Sequence, residues 1–258
     1  MGESRLSLPA LRCRMKAAMP EDAAEYEMFD PADPAQAGRL LQAFGLRVQA
    51  PAGNAIHVHR DARKVLSETP VRMQGVGNAL AVDRDCGFHG QIDMAGDGNL
   101  AVFRGGQTHL AIAATMYGGD TLLWHRAAFS WGIRVWIQGG TTLSVGEDCL
   151  FSENITIRTT DHHSMFDMET GAQINRPADV TIGRHVWVGQ DCAIGKGAVI
   201  GDGAIIGARS LVIGEVGPAQ LWAGSPARLL RDRVSWVHSH PRMDERERDR
   251  VINWLMRT

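Results

Sequence analysis

From Ile182 onward the hydrophobic positions recur every six residues. Ile182, Val188, Ile194, Ile200, Ile206 and Val212 open successive units, and in the first five a glycine follows: Gly183, Gly189, Gly195, Gly201 and Gly207. The fifth position of each unit is small or modest: Val186, Cys192, Ala198, Ala204 and Ser210. A half-buried strand repeats every two residues and a helix every 3.6. A period of six fits a short flat strand followed by a tight corner. Three such units close one triangular coil, and parallel strands pair from coil to coil. The opening aliphatic is predicted to point inward, the small fifth residue to fit the narrow interior near a corner, and the glycine to supply the backbone angles a corner imposes.

The register continues upstream. Val145, Phe151 and Ile157 are six apart, and the next unit would open at His163. Ile182 is too distant to be the following position, so residues 163–181 are predicted to form a loop inserted in the solenoid. Further upstream, segments opening Gly-Asn or Gly-Gly recur at near-constant spacing from Gly77, Gly98, Gly118 and Gly139. They read as coils with a bulged corner, against the competing reading of independent hairpins. The expected organisation is a non-repeat segment or cap over 1–74, an all-β solenoid over 75–225, and a C-terminal helical extension over 226–258. Within the first segment, "ADPAQAGRLLQAFG" predicts a short helix ended by Gly45, and "LRVQAPAGNAIHVHR" a hairpin. Near the other end, Asp244–Met256 predicts an amphipathic helix carrying Val251, Ile252, Trp254 and Leu255, set to pack on the solenoid or on a neighbouring subunit.

The composition is that of an ordinary globular chain, with 44% hydrophobic and 22% charged residues and a net charge of −2. That balance gives no electrostatic reason for a nucleic-acid or membrane-surface partner. The 29 glycines are in excess, and the corners of a solenoid account for them. Cys13, Cys86, Cys149 and Cys192 lie far apart with no CxxC pair, so neither a zinc site nor a disulfide framework is indicated. No apolar run is long enough for a membrane span or a leader, and a reduced, cytoplasmic setting is expected.

The chemistry concentrates where the period breaks, in "DHHSM" over residues 161–165. Imidazole has the near-neutral pKa that suits a general base, and two are adjacent here. The stretch "TTDHHSMFDMETGAQIN", the hexapeptides "VTIGRHVWVGQDCAIGKGAVIGDGAIIGARSLV" and the "AGSPARLLR" that follows together resemble the hexapeptide-repeat, acetyl-CoA-dependent O-acetyltransferases. The likeness is to the polysaccharide or capsule type with a D-x-H-S loop, and it covers about residues 140–232. It implies a left-handed parallel β-helix, an exception to the right-handed crossover rule, assembled as a homotrimer with each site between two subunits.

The resemblance also implies residue roles. His163 matches the His of D-x-H-S and is the expected base, with His162 as the alternative. Asp161 or Asp167 is a candidate to orient the imidazole, by the logic of a triad. Trp187 in "HVWVG" is expected near the base, positioning the acyl group or the oxyanion, and Asn175 in "QIN" is expected to bind the acceptor or the loop backbone. For coenzyme A, Gly189, Ala208 and Ser210 leave room for the pantetheine arm, while Lys196, Arg209, Arg228 and Arg231 are candidates for its phosphates. The implied reaction is direct transfer of acetyl to a saccharide hydroxyl, without a metal and without a covalent acetyl-enzyme. Alternatives are N-acetylation of an amino sugar, O-acetylation of a small alcohol such as serine, a non-enzymatic scaffold, and a carbonic-anhydrase-like zinc site built from His162, His163 and His185.

Overall fold

The computed structural model describes residues 25–62, 68–84, 86–105, 109–125 and 127–256. Cys13, the rest of the first 24 residues and part of the segment between residues 60 and 68 lie outside it. The chain winds as a β-solenoid of about seven turns. A first face stacks nine strands, of which the lowest, Tyr26–Phe29, is antiparallel and the others run parallel from Ala55–His59 to Glu215–Val216. The second and third faces belong to one continuous sheet, because the long strand Ala127–Ile137 turns the corner between them. Its first half pairs with Cys149–Phe151 and its second half with Ile155–Arg158.

The inward row is as the period predicts. Ile182, Val188, Ile194, Ile200, Ile206 and Val212 are buried, as are Val145, Phe151 and Ile157 below them. The small fifth residues Val186, Cys192, Ala198, Ala204 and Ser210 are buried as well. All of these side chains except Ser210 join one core cluster running from Phe29 to Ala227. Each fully buried aliphatic contributes about 1.5–3 kcal/mol, and stacking lets every coil share its apolar floor with the next.

The repeat glycines serve a different purpose from the one expected. None of Gly183, Gly189, Gly195, Gly201 or Gly207 has a positive φ. The left-handed positions fall later in each unit, on His185, Asp191, Gly197, Gly203 and Arg209, with φ of 54°, 58°, 74°, 70° and 59°. What most of the repeat glycines provide is close approach. A Cβ on Gly189 would stand 2.7 Å from the backbone nitrogen of Ala208 in the next coil, and one on Gly201 would stand 2.5 Å from that of Pro218.

The upstream Gly-Asn and Gly-Gly segments have a polar logic. Asn78, Asn99, Asp120 and Thr141 are buried at the third corner, where the third face turns into the first. Asn54 Oδ1 accepts from Asn78 N, Asn78 Oδ1 from Asn99 N, and Asn99 Oδ1 from Gly118 N. Asp120 Oδ1 accepts from Gly140 N and Thr141 N, and the Thr141 hydroxyl bonds that of Thr159 at 2.7 Å. The corner therefore satisfies its orphan amides through side chains of the neighbouring coils, with rungs 21 residues apart from Asn78 to Thr141.

Parallel stacking begins upstream of residue 75, so the expected cap boundary is too late. Leu46–Gln49 pairs in parallel with Thr69–Met73, and Ala55–His59 with Ala79–Val82. For the same reason residues 46–60 are not a hairpin, because the two strands pair into different sheets. The short helix α1 (Pro34–Arg39), capped by Asp33, runs on through one π turn to Gly45. At the far end Gln220–Gly224 folds back on Ala227–Asp232 as an antiparallel pair. A helix, α2 (Glu245–Leu255), capped by Asp244, then packs on the solenoid. Its Trp254 ring lies under the Arg184 guanidinium, 5.0 Å away. Ile252, expected on the packed side, is exposed.

Candidate active site

The third corner carries the inserted loop. Leu143 pairs with Val180 on the first face, a much longer step than the 18 residues of a regular coil. The excursion is closed at its base by Ala178 N donating to Thr159 O at 3.0 Å. It rises as a narrow two-stranded arm: Ile174 N donates to Met165 O, and Phe166 bridges Gln173. At the tip the Asp167 carboxylate accepts from Glu169 N, Thr170 N and the Thr170 hydroxyl. Asp167 therefore shapes the turn and does not orient an imidazole. Met165, Phe166, Met168 and Ile174 are exposed along the arm.

Asn175 anchors the root of this arm. It is 6% exposed. Its Oδ1 accepts from Met165 N at 2.7 Å, and its Nδ2 donates to His163 O at 2.8 Å and to Asp161 Oδ2 at 2.9 Å. Asp161 Oδ2 also receives Lys196 Nζ, which donates in addition to Asn175 O at 3.0 Å. The hydrogen bonds from Lys196 and Asn175 hold the Asp161 carboxyl below its ordinary range. Asp161 and Lys196 thus act on each other and on the loop root. Among the described residues Asp161 hydrogen-bonds no imidazole, and Lys196 is already occupied by a carboxylate.

The two histidines part company. His162 is half-buried in the left-handed region at φ 64°, its N–H donating to the Thr160 hydroxyl at 3.0 Å. Its ring stands edge-on to Tyr117 at 5.7 Å and to Trp136 at 6.4 Å. The Arg158 guanidinium covers the Trp136 ring at 4.4 Å. His163 is exposed, and its carbonyl accepts from Asn175 Nδ2. Tyr117, Trp136 and Arg158 escaped the sequence reading. They come from separate coils, and only the register of the bulged upstream repeats brings them to this corner.

The remaining expected residues sit elsewhere on the chain. Trp187 lies on the second face, 6.2 Å from Trp236. Gly189, Ala208 and Arg209 lie at the second corner, where Arg209 approaches Asp191 at 3.7 Å. Ser210 is buried, donating to Gly207 O and accepting from Gly224 N, so it is part of the corner and not a lining residue. Arg228 and Arg231 are exposed on the last strand, Ala227–Asp232. Below Gly189, the second corner opens into a cavity of about 620 Å³ with a floor of Gly90, Ala111, Ile112, Ala113 and Gly132, and a polar wall of Arg134, Glu153, Asn154, Gln190 and Asp191.

The first corner holds His185, far from His162 and His163, so the three are not brought together within one chain. Its Nδ1 meets Asp148 at 2.7 Å and its Nε2 the Trp236 carbonyl at 2.9 Å, while its ring stacks on the Trp236 indole at 4.2 Å.

Known proteins place this chain. Residues 179–214 match the family model "Bacterial transferase hexapeptide (six repeats)". This stretch is a hexapeptide repeat. A polysialic acid O-acetyltransferase of Neisseria meningitidis is 44% identical over 45 residues, covering 17% of this chain and 21% of the relative. One of Escherichia coli O1:K1 is 29% identical over 122 residues, covering 47% of this chain and 39% of the relative. The chain thus matches well under half the length of these curated relatives. The crystal structure of the polySia-specific acetyltransferase NeuO superposes with a TM-score of 0.71 at 21% identity, covering 83% of this chain and 98% of that one. The shared architecture is the left-handed β-helix.

Proposed function

We propose that this chain transfers an acetyl group from acetyl-CoA to a hydroxyl of a surface or capsular saccharide or its precursor. The observation that carries the reading is His163, exposed at the mouth of a loop that Asn175 pins to the solenoid. The names of the matched relatives agree with it. In the neutral form the His163 imidazole takes the proton of the acceptor hydroxyl as its oxygen attacks the thioester carbon. The resulting oxyanion collapses, the C–S bond breaks, and the imidazolium returns its proton to the departing thiolate. No acetyl-enzyme forms, and the step needs no metal.

In this reading Gly189 and Ala208 line the path of the pantetheine arm, and Arg209, Arg228 and Arg231 meet phosphates. Trp187 and the second corner of one subunit stand beside the third corner of the next in a homotrimer. That arrangement unites groups lying on separate faces of one chain. Among the described residues no helix is long and apolar enough to cross a membrane, and the proposed setting is the cytoplasm.

Mass spectrometry of a panel of oligosaccharides and sugar nucleotides incubated with acetyl-CoA tests the reaction. The expected gain is one acetyl group, labile to mild base as an ester is. A base-stable product confined to amino sugars would replace O- by N-transfer. Light scattering on the eluting protein should give three times the chain mass, and a monomer would refute the shared site.

A further inference from the structure

Lys196 stands at the corner just beyond Ala193–Ile194, the strand that stacks on Ile155–Arg158 with Ile194 paired to Ile157. It therefore belongs to the coil that follows the inserted loop. Its side chain is 23% exposed, and its ammonium has two partners. One is Asp161 Oδ2, on the chain leaving the solenoid. The other is Asn175 O, at 3.0 Å, on the chain returning to it. Asn175 Nδ2 joins the same two residues at 2.9 Å, and from Asn175 the network continues to His163 O and Met165 N. One cation on a neighbouring coil thus holds both ends of the excursion that carries the exposed histidine. Beside it, Gly197 N donates to Asp179 O at 3.0 Å, so the same corner also grips the end of the returning chain.

The choice of cation is informative. Of the 27 basic residues only three are lysines, Lys16, Lys64 and Lys196, and Lys196 is the one that lies among the described residues. Elsewhere the chain uses arginine, whose guanidinium spreads its donors in a plane and matches planar carboxylates and phosphates. An ammonium fans three donors from one atom. That geometry suits two oxygens reached from opposite strands of a loop root. The hydrogen bonds from Lys196 and Asn175 also keep the Asp161 carboxyl below its ordinary range, so the pair is charged wherever an imidazole is neutral.

We propose that Lys196 is a positioning residue for acetyl transfer: by tying both ends of the loop to the next coil, its ammonium fixes where the His163 imidazole stands, in place of meeting a phosphate of the donor. The inference rests on the acetyl-transfer reading. Placement matters to the rate because a reacting group displaced by about 1 Å costs on the order of 10²-fold.

The test uses the full-length protein and reads the loop and the reaction separately. In Lys196→Met, hydrogen exchange of the Met165 and Ile174 amides should quicken about tenfold or more, while the core strand Ile155–Arg158 exchanges as in the wild type. In turnover on an acceptor oligosaccharide, kcat should fall roughly ten- to a hundredfold with KM for acetyl-CoA within about twofold. Lys196→Arg should recover part of the loss, as a charge with the wrong donor geometry. Asp161→Asn should lower kcat as well, and the double variant Asp161→Asn/Lys196→Met should fall well short of the product of the two single losses, as expected of residues acting through one contact. A raised KM for acetyl-CoA with kcat kept would overturn the proposal by assigning Lys196 to the donor. Unchanged exchange of the loop would overturn it, and so would exchange quickened equally throughout the solenoid. If the wild type transfers no acetyl group, the proposed reaction fails on its own, and the exchange comparison still shows whether Lys196 holds the loop.

Discussion

At the scale of single residues, adjacent histidines divide into a held one and a free one. The left-handed φ of His162 turns its ring inward against Tyr117 and Trp136, and the chain reversal leaves the next ring in the open. Asparagine tolerates that backbone region better than most residues. His162→Asn is therefore expected to keep the loop conformation and to retain transfer within about tenfold, well short of the ~10²–10⁴ that removal of a general base costs. Steady-state kinetics on both histidine variants would separate the roles. Asn175 is the more sensitive structural position. Asn175→Ala strands the Met165 N–H and the His163 carbonyl and should lower stability by about 1–3 kcal/mol. The unfolding temperature and kcat are expected to fall together, because the proposed base is carried on the same root. D-x-H-S singled out His163 from sequence. The partners Asp161 takes were not legible there, because Lys196 comes from the following coil.

At the scale of elements, the third corner shows how local pattern and coil register combine. The period-six aliphatics were readable because each unit is an independent copy of one burial problem. The role of the repeat glycines was not, because close approach to the next coil is a property of two units at once. The buried ladder of Asn54, Asn78, Asn99, Asp120 and Thr141 was visible only as a recurring Gly-Asn or Gly-Gly opening. Asp120 is its one ionisable rung. Burial raises its carboxyl pKa, and the backbone donors Tyr117, Gly140 and Thr141 only partly oppose this. A raised acid pKa means that the folded state holds the proton more tightly than the unfolded one. Stability from this group therefore declines as pH rises from the ordinary carboxylate range through the raised value. Asp120→Asn keeps the oxygen that accepts from Gly140 N and Thr141 N but turns an amide NH2 toward the Tyr117 N–H, which donates to Oδ2 at 2.8 Å. The variant should lose about 1–3 kcal/mol for the stranded donor, while its unfolding midpoint no longer declines with pH. A decline that persists in Asp120→Asn would assign it to another group.

At the scale of the whole molecule, the solenoid is finished by a C-terminal segment that clasps its first corner. Trp236 Nε1 donates to His185 O while His185 Nε2 meets Trp236 O, and Asp148 joins His185 to His238. Glu247 of α2 accepts from His238 N and Ser239 N. Burial pushes the Asp148 carboxyl up, but hydrogen bonds from His185 and His238 outweigh it and leave it well below its usual range. The bond to Asp148 raises His238 against a smaller effect of burial. The His238 contribution is thus complete below the ordinary imidazole pKa and lost as pH rises through the raised value. That of Asp148 is present above the ordinary carboxylate range and lost as pH falls through its depressed value. The clasp should be tightest between these limits, in weak acid. Hydrogen exchange of α2 against pH would record this, and Asp148→Asn should flatten the profile. A clasp equally protected from weak acid to alkali would count against it. None of this touches the proposed base, which lies at another corner, and there the account is most directly tested. Wild-type protein, His162→Asn and His163→Ala, each shown to be folded by circular dichroism, are given acetyl-CoA and an acceptor oligosaccharide from the panel, and the acetyl ester is counted by mass spectrometry. The account predicts ester from the first two and a loss of at least a hundredfold in His163→Ala. Transfer by His163→Ala at the wild-type rate would contradict it.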